Sequence, residues 1–71
     1  MSIIPDQNFT NREKVKFADV NNADELYIGE IVGKITKNVI CLYLVECEEY
    51  AKKHKSEYHV FAMPHTCLER I

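Results

Sequence analysis

Residues 26–46 hold two runs rich in β-branched and aromatic residues. They are Leu26-Tyr27-Ile28-Gly29-Glu30-Ile31-Val32-Gly33-Lys34-Ile35-Thr36 and Val39-Ile40-Cys41-Leu42-Tyr43-Leu44-Val45-Glu46, with Lys37-Asn38 between them. Such runs around a polar pair predict a long β-hairpin. Gly29 and Gly33 would weaken a flat strand, so they mark bends or bulges where a small sheet coils toward a barrel. Side chains alternate across a strand, which puts Val39, Cys41, Tyr43 and Val45 on one face of the second run and Ile40, Leu42 and Leu44 on the other. Both faces are apolar. An antiparallel strand in a small domain normally keeps one face wet, so the second face calls for a cover: the N-terminal arm, a helix or another subunit.

The flanks supply shorter elements. Lys14-Val15-Lys16-Phe17-Ala18-Asp19-Val20 alternates polar and apolar and reads as a strand, followed by a turn at Asn21-Asn22-Ala23-Asp24. Thr10-Asn11-Arg12-Glu13 has the form of a helix capping box, yet a strand pattern follows it. From Cys47 to Ser56 the acidic residues Glu48 and Glu49 precede Lys52, Lys53, His54 and Lys55, an order that suits the dipole of a short helix. Tyr58 to Met63 reads as a further strand, Pro64 to Cys67 as a tight turn, and Leu68 to Ile71 as a final strand. The expected organisation is a flexible arm over residues 1–11 and one mainly β domain over residues 12–71, a small five-stranded barrel with a helical insertion near residues 47–56.

Size and charge narrow the function classes. A chain of 71 residues buries only roughly 60% of its unfolded surface, so its core is marginal and there is no room for separate cofactor and substrate domains. Nine Lys plus Arg against eleven Asp plus Glu give a formal charge of −2, which disfavours indiscriminate binding to nucleic acid phosphates. Cys41, Cys47 and Cys67 are odd in number and fit neither a zinc nor a redox spacing; three reduced thiols suit the cytosol. Met1-Ser2-Ile3-Ile4 is broken at once by Pro5-Asp6, unlike a secretory leader, and no run approaches the roughly 20 apolar residues that span a bilayer. A cytoplasmic location with no membrane contact is expected.

Short strands, glycine-marked bends and a Pro-initiated turn ahead of Leu68-Glu69-Arg70-Ile71 together resemble the SH3-like barrel. Within that fold, Tyr27-Ile28-Gly29-Glu30-Ile31-Val32-Gly33, Tyr43-Leu44-Val45-Glu46 and the stretch from Pro64 to Ile71 are similar to the plasmid-borne type II dihydrofolate reductases. Roughly residues 15–71 share the likeness, mostly at barrel-forming positions. The resemblance implies a homotetramer in which NADPH and dihydrofolate meet at a central pore lined by a Val-Gln-Ile-Tyr run. Here that run reads Val60-Phe61-Ala62-Met63, so the amide and phenol groups that would hold the ligands are missing. The likeness therefore speaks for architecture ahead of chemistry.

Other constellations are thin. His65 and Cys67 could supply two metal ligands, but the second pair of a structural zinc site is missing. No catalytic set, cofactor or metal is expected. Tyr27, Leu42, Tyr43, Leu44, Tyr50, Tyr58 and Phe61 are read as an interface anchored by aromatics, with Lys52, Lys53 and Lys55 as an electrostatic contact. The leading expectation is a small binding module, a regulator or inhibitor acting by stoichiometric association with a protein, such as phages and mobile elements carry. Self-association into a homo-oligomer is a further partner class. The alternatives are a diverged NADPH-dependent reductase and, ranked lower, a nucleic-acid-binding barrel that uses the Lys52–Lys55 cluster.

Overall fold

The computed structural model describes residues 9–71. Its elements in chain order are β1 (Lys14–Asp19), β2 (Asn22–Lys37), β3 (Ile40–Glu46), α1 (Glu48–Lys53), β4 (Val60–Pro64), a 3₁₀ turn (His65–Cys67) and β5 (Glu69–Arg70). The five strands form one antiparallel sheet in the order β4-β3-β2-β1-β5. No pairing joins β4 to β5 among the described residues, so the sheet is open at that seam. No helix among them is long and apolar enough to cross a membrane. The arm expected over residues 1–11 lies, for residues 1–8, outside the described residues.

β2 serves two partners. Its first half pairs with β1 from Lys14↔Glu30 to Ala18↔Leu26, and its second half pairs with β3 from Glu30↔Glu46 to Lys37↔Ile40. The register slips between Ile31 and Gly33, leaving Val32 as the extra residue of a bulge, as the glycine had indicated. At Gly29 a Cβ would meet Val45 Cγ1 at 2.5 Å, the Glu46 carbonyl oxygen at 3.0 Å and Phe17 Cε1 at 3.2 Å. Its φ is not positive, so this glycine is required for space: it lets β1 and β3 close over β2.

The inner face carries the core. Val15, Phe17, Tyr27, Ile31, Tyr43, Val45 and Leu68 are buried there beneath Tyr50 of α1. Tyr50 meets the rings of Phe17, Tyr27 and Phe61 edge-on at 5.2, 5.2 and 5.0 Å. In a chain without Trp these rings supply most of the large apolar volume. Phe9 packs edge-on against Tyr43 at 5.2 Å, and its backbone N–H donates to the Tyr43 hydroxyl at 3.3 Å. The last residues of the expected arm thus begin the packed domain.

Several boundaries differ from the sequence reading for local reasons. The β1–β2 turn is Val20-Asn21, and Asn22 to Asp24 already belong to β2; the backbone N–H of Asn21 donates to Asp19 Oδ1 at 2.8 Å and so tightens the reversal. The central turn is Asn38-Val39, with Asn38 at φ 58°, a left-handed conformation that asparagine tolerates. Of the two bonds of a capping box only Thr10 N–H to Glu13 Oε1 (3.1 Å) is made; Glu13 N–H donates to the Thr10 backbone carbonyl (3.1 Å) and closes a turn that leads into a strand. β4 begins at Val60 because Ser56 Oγ binds both the N–H and the carbonyl of Tyr58 and holds that residue in the loop. The expected helix is present. It ends in a Schellman motif, with Ser56 N–H on the Ala51 carbonyl (2.8 Å) and Lys55 N–H on the Lys52 carbonyl (3.2 Å).

Candidate functional site

Opposite the core, β2, β3 and β4 present a second apolar surface. Their register sets Ile35, Leu42 and Pro64 in one row across the sheet and Gly33, Leu44 and Ala62 in the next. Leu44 leans over Gly33, where a Cβ would lie 3.0 Å from its Cδ1. Ile40, 59% exposed, continues the surface toward the hairpin tip, and Val39 at that tip is 98% exposed. The other end closes on a charged row, where Glu30 stands between Lys14 and Glu46. Lys14 Nζ and Arg12 Nη1 reach Glu30 at 2.9 and 3.0 Å, and their hydrogen bonds hold its carboxyl below the ordinary range. The surface is therefore an apolar stripe along the strands with one charged end, where Glu30 is paired with Arg12 and Lys14. Nothing among the described residues covers it, and neither α1 nor Phe9 lies on that side, because both pack on the core.

The structure divides the residues expected to form one interface. Leu42 and Leu44 lie together on the outer stripe, half-exposed. Tyr27, Tyr43 and Tyr50, read as exposed anchors, are buried: Tyr43 is 0% exposed, and all three fill the concave side of the sheet, where only large rings close the space. Phe61 is half-buried against Tyr50 and belongs to that side too. Tyr58 is exposed but sits in the loop ahead of β4. Ile40, read from the sequence on the face of Leu42 and Leu44, belongs to the stripe, as do Ile35, Ala62 and Pro64, which escaped the sequence reading. Strand alternation could have found Ala62 and Pro64, since they flank inward-facing Met63.

One lysine of the cluster is committed to the fold. Lys53 Nζ bridges both Glu25 carboxylate oxygens at 3.0 and 2.9 Å, and Glu25 in turn accepts from the Tyr27 hydroxyl at 2.6 Å. This carboxylate raises the Tyr27 pKa to about 12 and pushes that of Lys53 up, while the Tyr27 and Lys53 bonds lower its own. Lys52 lies 4.0 Å from Glu48 one helical turn earlier, and Lys55 occupies the left-handed position of the helix end at φ 51°. Of the three, Lys53 is thus a latch between α1 and β2, not an anion contact.

A second latch lies beside it. Asp19, with a side chain 2% exposed, places Oδ2 3.0 Å from His54 Nε2 and accepts the Asn21 N–H at Oδ1. The Asn21 bond, assisted by His54, lowers the Asp19 pKa against the opposing effect of burial. Asp19 also borders an apolar groove of about 680 Å³ between the end of β1 and β4, lined by Phe17, Tyr50, Phe61, Met63 and Cys67 among others. Both Asp19 oxygens are occupied by these structural bonds. Among the described residues no group of three His, Cys, Asp or Glu side chains could hold a metal ion.

No protein-family model matches the chain, and neither the curated proteins nor the solved structures contain a match. The functional reading therefore depends on the outer stripe and on the groups around it.

Proposed function

We propose that the protein is a stoichiometric binding module, a small regulator or inhibitor that acts through the outer face of β2, β3 and β4 on another protein. The observation that carries this reading is the unbroken apolar stripe formed by the Ile35-Leu42-Pro64 and Gly33-Leu44-Ala62 rows. A contiguous apolar patch on a small protein is costly in water and marks a place of association. The framework proposed for it is an SH3-like barrel. Support comes from the meander β1-β2-β3-β4 with β5 returned beside β1, and from the single 3₁₀ turn between β4 and β5. The likeness to type II reductases contributes architecture only, since Phe61 and Met63 stand where that resemblance places polar ligand-binding side chains and both pack against the core.

The test is a comparison of crosslinked captures from the native host using the wild-type chain and the Leu42→Lys/Leu44→Lys double variant. Both positions are half-exposed, so the variant keeps its far-ultraviolet circular dichroism. Proteins held by the wild type and lost by the variant are expected. Identical captures by the two folded proteins would end the reading.

A further inference from the structure

The outer stripe has an internal symmetry that names one occupant. The β2–β3 ladder ends in Lys37↔Ile40 at the tip and in Glu30↔Glu46 at the base, and Tyr43 lies midway along β3, three residues from Ile40 and three from Glu46. Consider a half-turn about an axis that lies in the plane of the face and crosses the strands at Tyr43. It stacks β3 of one copy antiparallel over β3 of another, with β2 over β2 and β4 over β4. Leu42 then faces Leu44 of the second copy, and Leu44 faces its Leu42. Ile35 comes over Gly33 of the second copy, and Pro64 over its Ala62, so larger side chains meet smaller ones. At both ends Lys37 of one copy comes over Glu30 of the other, one strand away from its Glu46, and Ile40 comes over that Glu46.

We infer that this face closes on a second copy of the same chain, forming a two-fold sandwich with the strands of the two sheets antiparallel. Charge favours this occupant. Lys37 and Glu46 are both exposed, and neither makes an ion pair among the described residues, whereas Glu30 is already held by Arg12 and Lys14. Each copy therefore brings one unsatisfied cation to one end of the stripe and one unsatisfied anion to the other, and Lys37 on β2 reaches diagonally across one strand to Glu46 on β3 of the second copy, a pairing the two-fold makes twice. Facing sheets packed with their strands nearly aligned sit about 10 Å apart, a distance that side chains from both sheets fill. The demand on area is modest. A stable interface takes roughly 800 Å² from each partner, about a seventh of the 5390 Å² this chain exposes.

Because this inference rests on the reading of the face as a docking surface, it gives that reading a resting state: a foreign partner reaches the face by displacing the second copy. The experiment is sedimentation equilibrium on the full chain over a range of concentrations, with Lys37→Glu, Glu46→Lys, the Lys37→Glu/Glu46→Lys double variant and Leu44→Lys. Wild type is expected at twice the chain mass. Each single charge reversal sets like charges together at both ends and weakens association by about tenfold or more, and the double variant regains it. A monomeric wild type, or a double variant no tighter than its parents, overturns the two-fold sandwich. An apolar fluorescent dye separates that failure from failure of the docking reading. A monomer that binds the dye through a site lost in Leu44→Lys keeps the face as a surface for a foreign protein. A monomer whose dye binding is untouched by Leu44→Lys overturns both.

Discussion

Replacing Gly29 by alanine adds one methyl group at the tightest point of the sheet, and the structure sets the cost. The new carbon would lie 2.5 Å from Val45 Cγ1, 3.0 Å from the Glu46 carbonyl oxygen and 3.2 Å from the Phe17 ring. Val45 is fully buried and the oxygen is backbone, so neither yields without moving β3. Overpacking of this kind costs about 1–3 kcal/mol, offset by the roughly 0.4–1 kcal/mol that alanine gains by restricting the unfolded chain. A domain of 71 residues is stable by roughly 4–10 kcal/mol, so a net loss of about 1–2 kcal/mol is large. Gly33 is the internal control. Its added methyl would meet only Leu44 Cδ1 at 3.0 Å, the end of a half-exposed side chain that can turn aside. Gly33→Ala is therefore expected within about 0.5 kcal/mol of wild type. Urea unfolding followed by far-ultraviolet circular dichroism, since the chain has no Trp, reports both. With a slope near 1 kcal/mol per molar urea, Gly29→Ala shifts the midpoint down by about 1–2 M at unchanged slope. Equal midpoints for the two variants would refute the claim that β1 and β3 close over β2 at Gly29.

Three further outcomes are expected. Lys55→Gly relieves a non-glycine residue held at φ 51° in the Schellman motif and stabilises the protein by about 0.5–1 kcal/mol, readable as a rise in Tm; a fall would contradict the motif. Asp19, Glu25 and Glu30 all have lowered folded pKa values, so the stability they contribute is present above the ordinary values of 3.8 and 4.5 and is lost as pH falls through the folded ones. The urea midpoint should therefore drop steeply only in that acid window, and less steeply in Asp19→Asn, whose Asn21 and His54 bonds no longer depend on a carboxylate charge. For Tyr27 the sign reverses: its pKa, raised from 10.0 to about 12 by Glu25, gives stability that is complete below pH 10.0 and lost as pH rises through about 12. Tyrosinate absorbance should show Tyr27 titrating late, and Glu25→Gln should bring it forward.

Much of the strand pattern was legible because alternation is a local property. Phe17 and Val15 already marked the inner face of β1, and the acidic-then-basic order from Glu48 to Lys53 marked α1. The choice between the two faces of β3 was not legible. Tyr43 and Leu44 are both apolar, and only the curvature imposed at Gly29 and the bulge at Val32 decides that the rings point to the concave side. The bulge also shifts the phase of β2, so Lys34 pairs across from buried Tyr43 and lays its ammonium 5.3 Å from that ring. Nothing in the sequence joins Asp19 to His54 or Glu25 to Lys53, because those pairs are made by the way α1 falls back on the β1–β2 hairpin. Once made, the Glu25 pair turns Lys53, one of the lysines that look like an anion site, into a strut.

The placement of β5 bears on how this chain folds. β1, β2, β3 and β4 each pair with a neighbour in sequence, which keeps loop closure cheap and lets a meander zip from its two tight hairpins. The return of the chain end is different: among the described residues Val15↔Arg70 and Lys16↔Glu69 are its two ladder positions, spanning more than fifty residues. They are reinforced by buried Leu68, by Arg70 on Glu13 at 2.7 Å and by Lys16 on Glu69 at 3.4 Å. Nearly all the slow, entropy-limited search therefore falls on this short clasp. It is the natural last step of assembly and the first to open, so amide exchange should find β1 guarded on its β2 side and yielding on its β5 side.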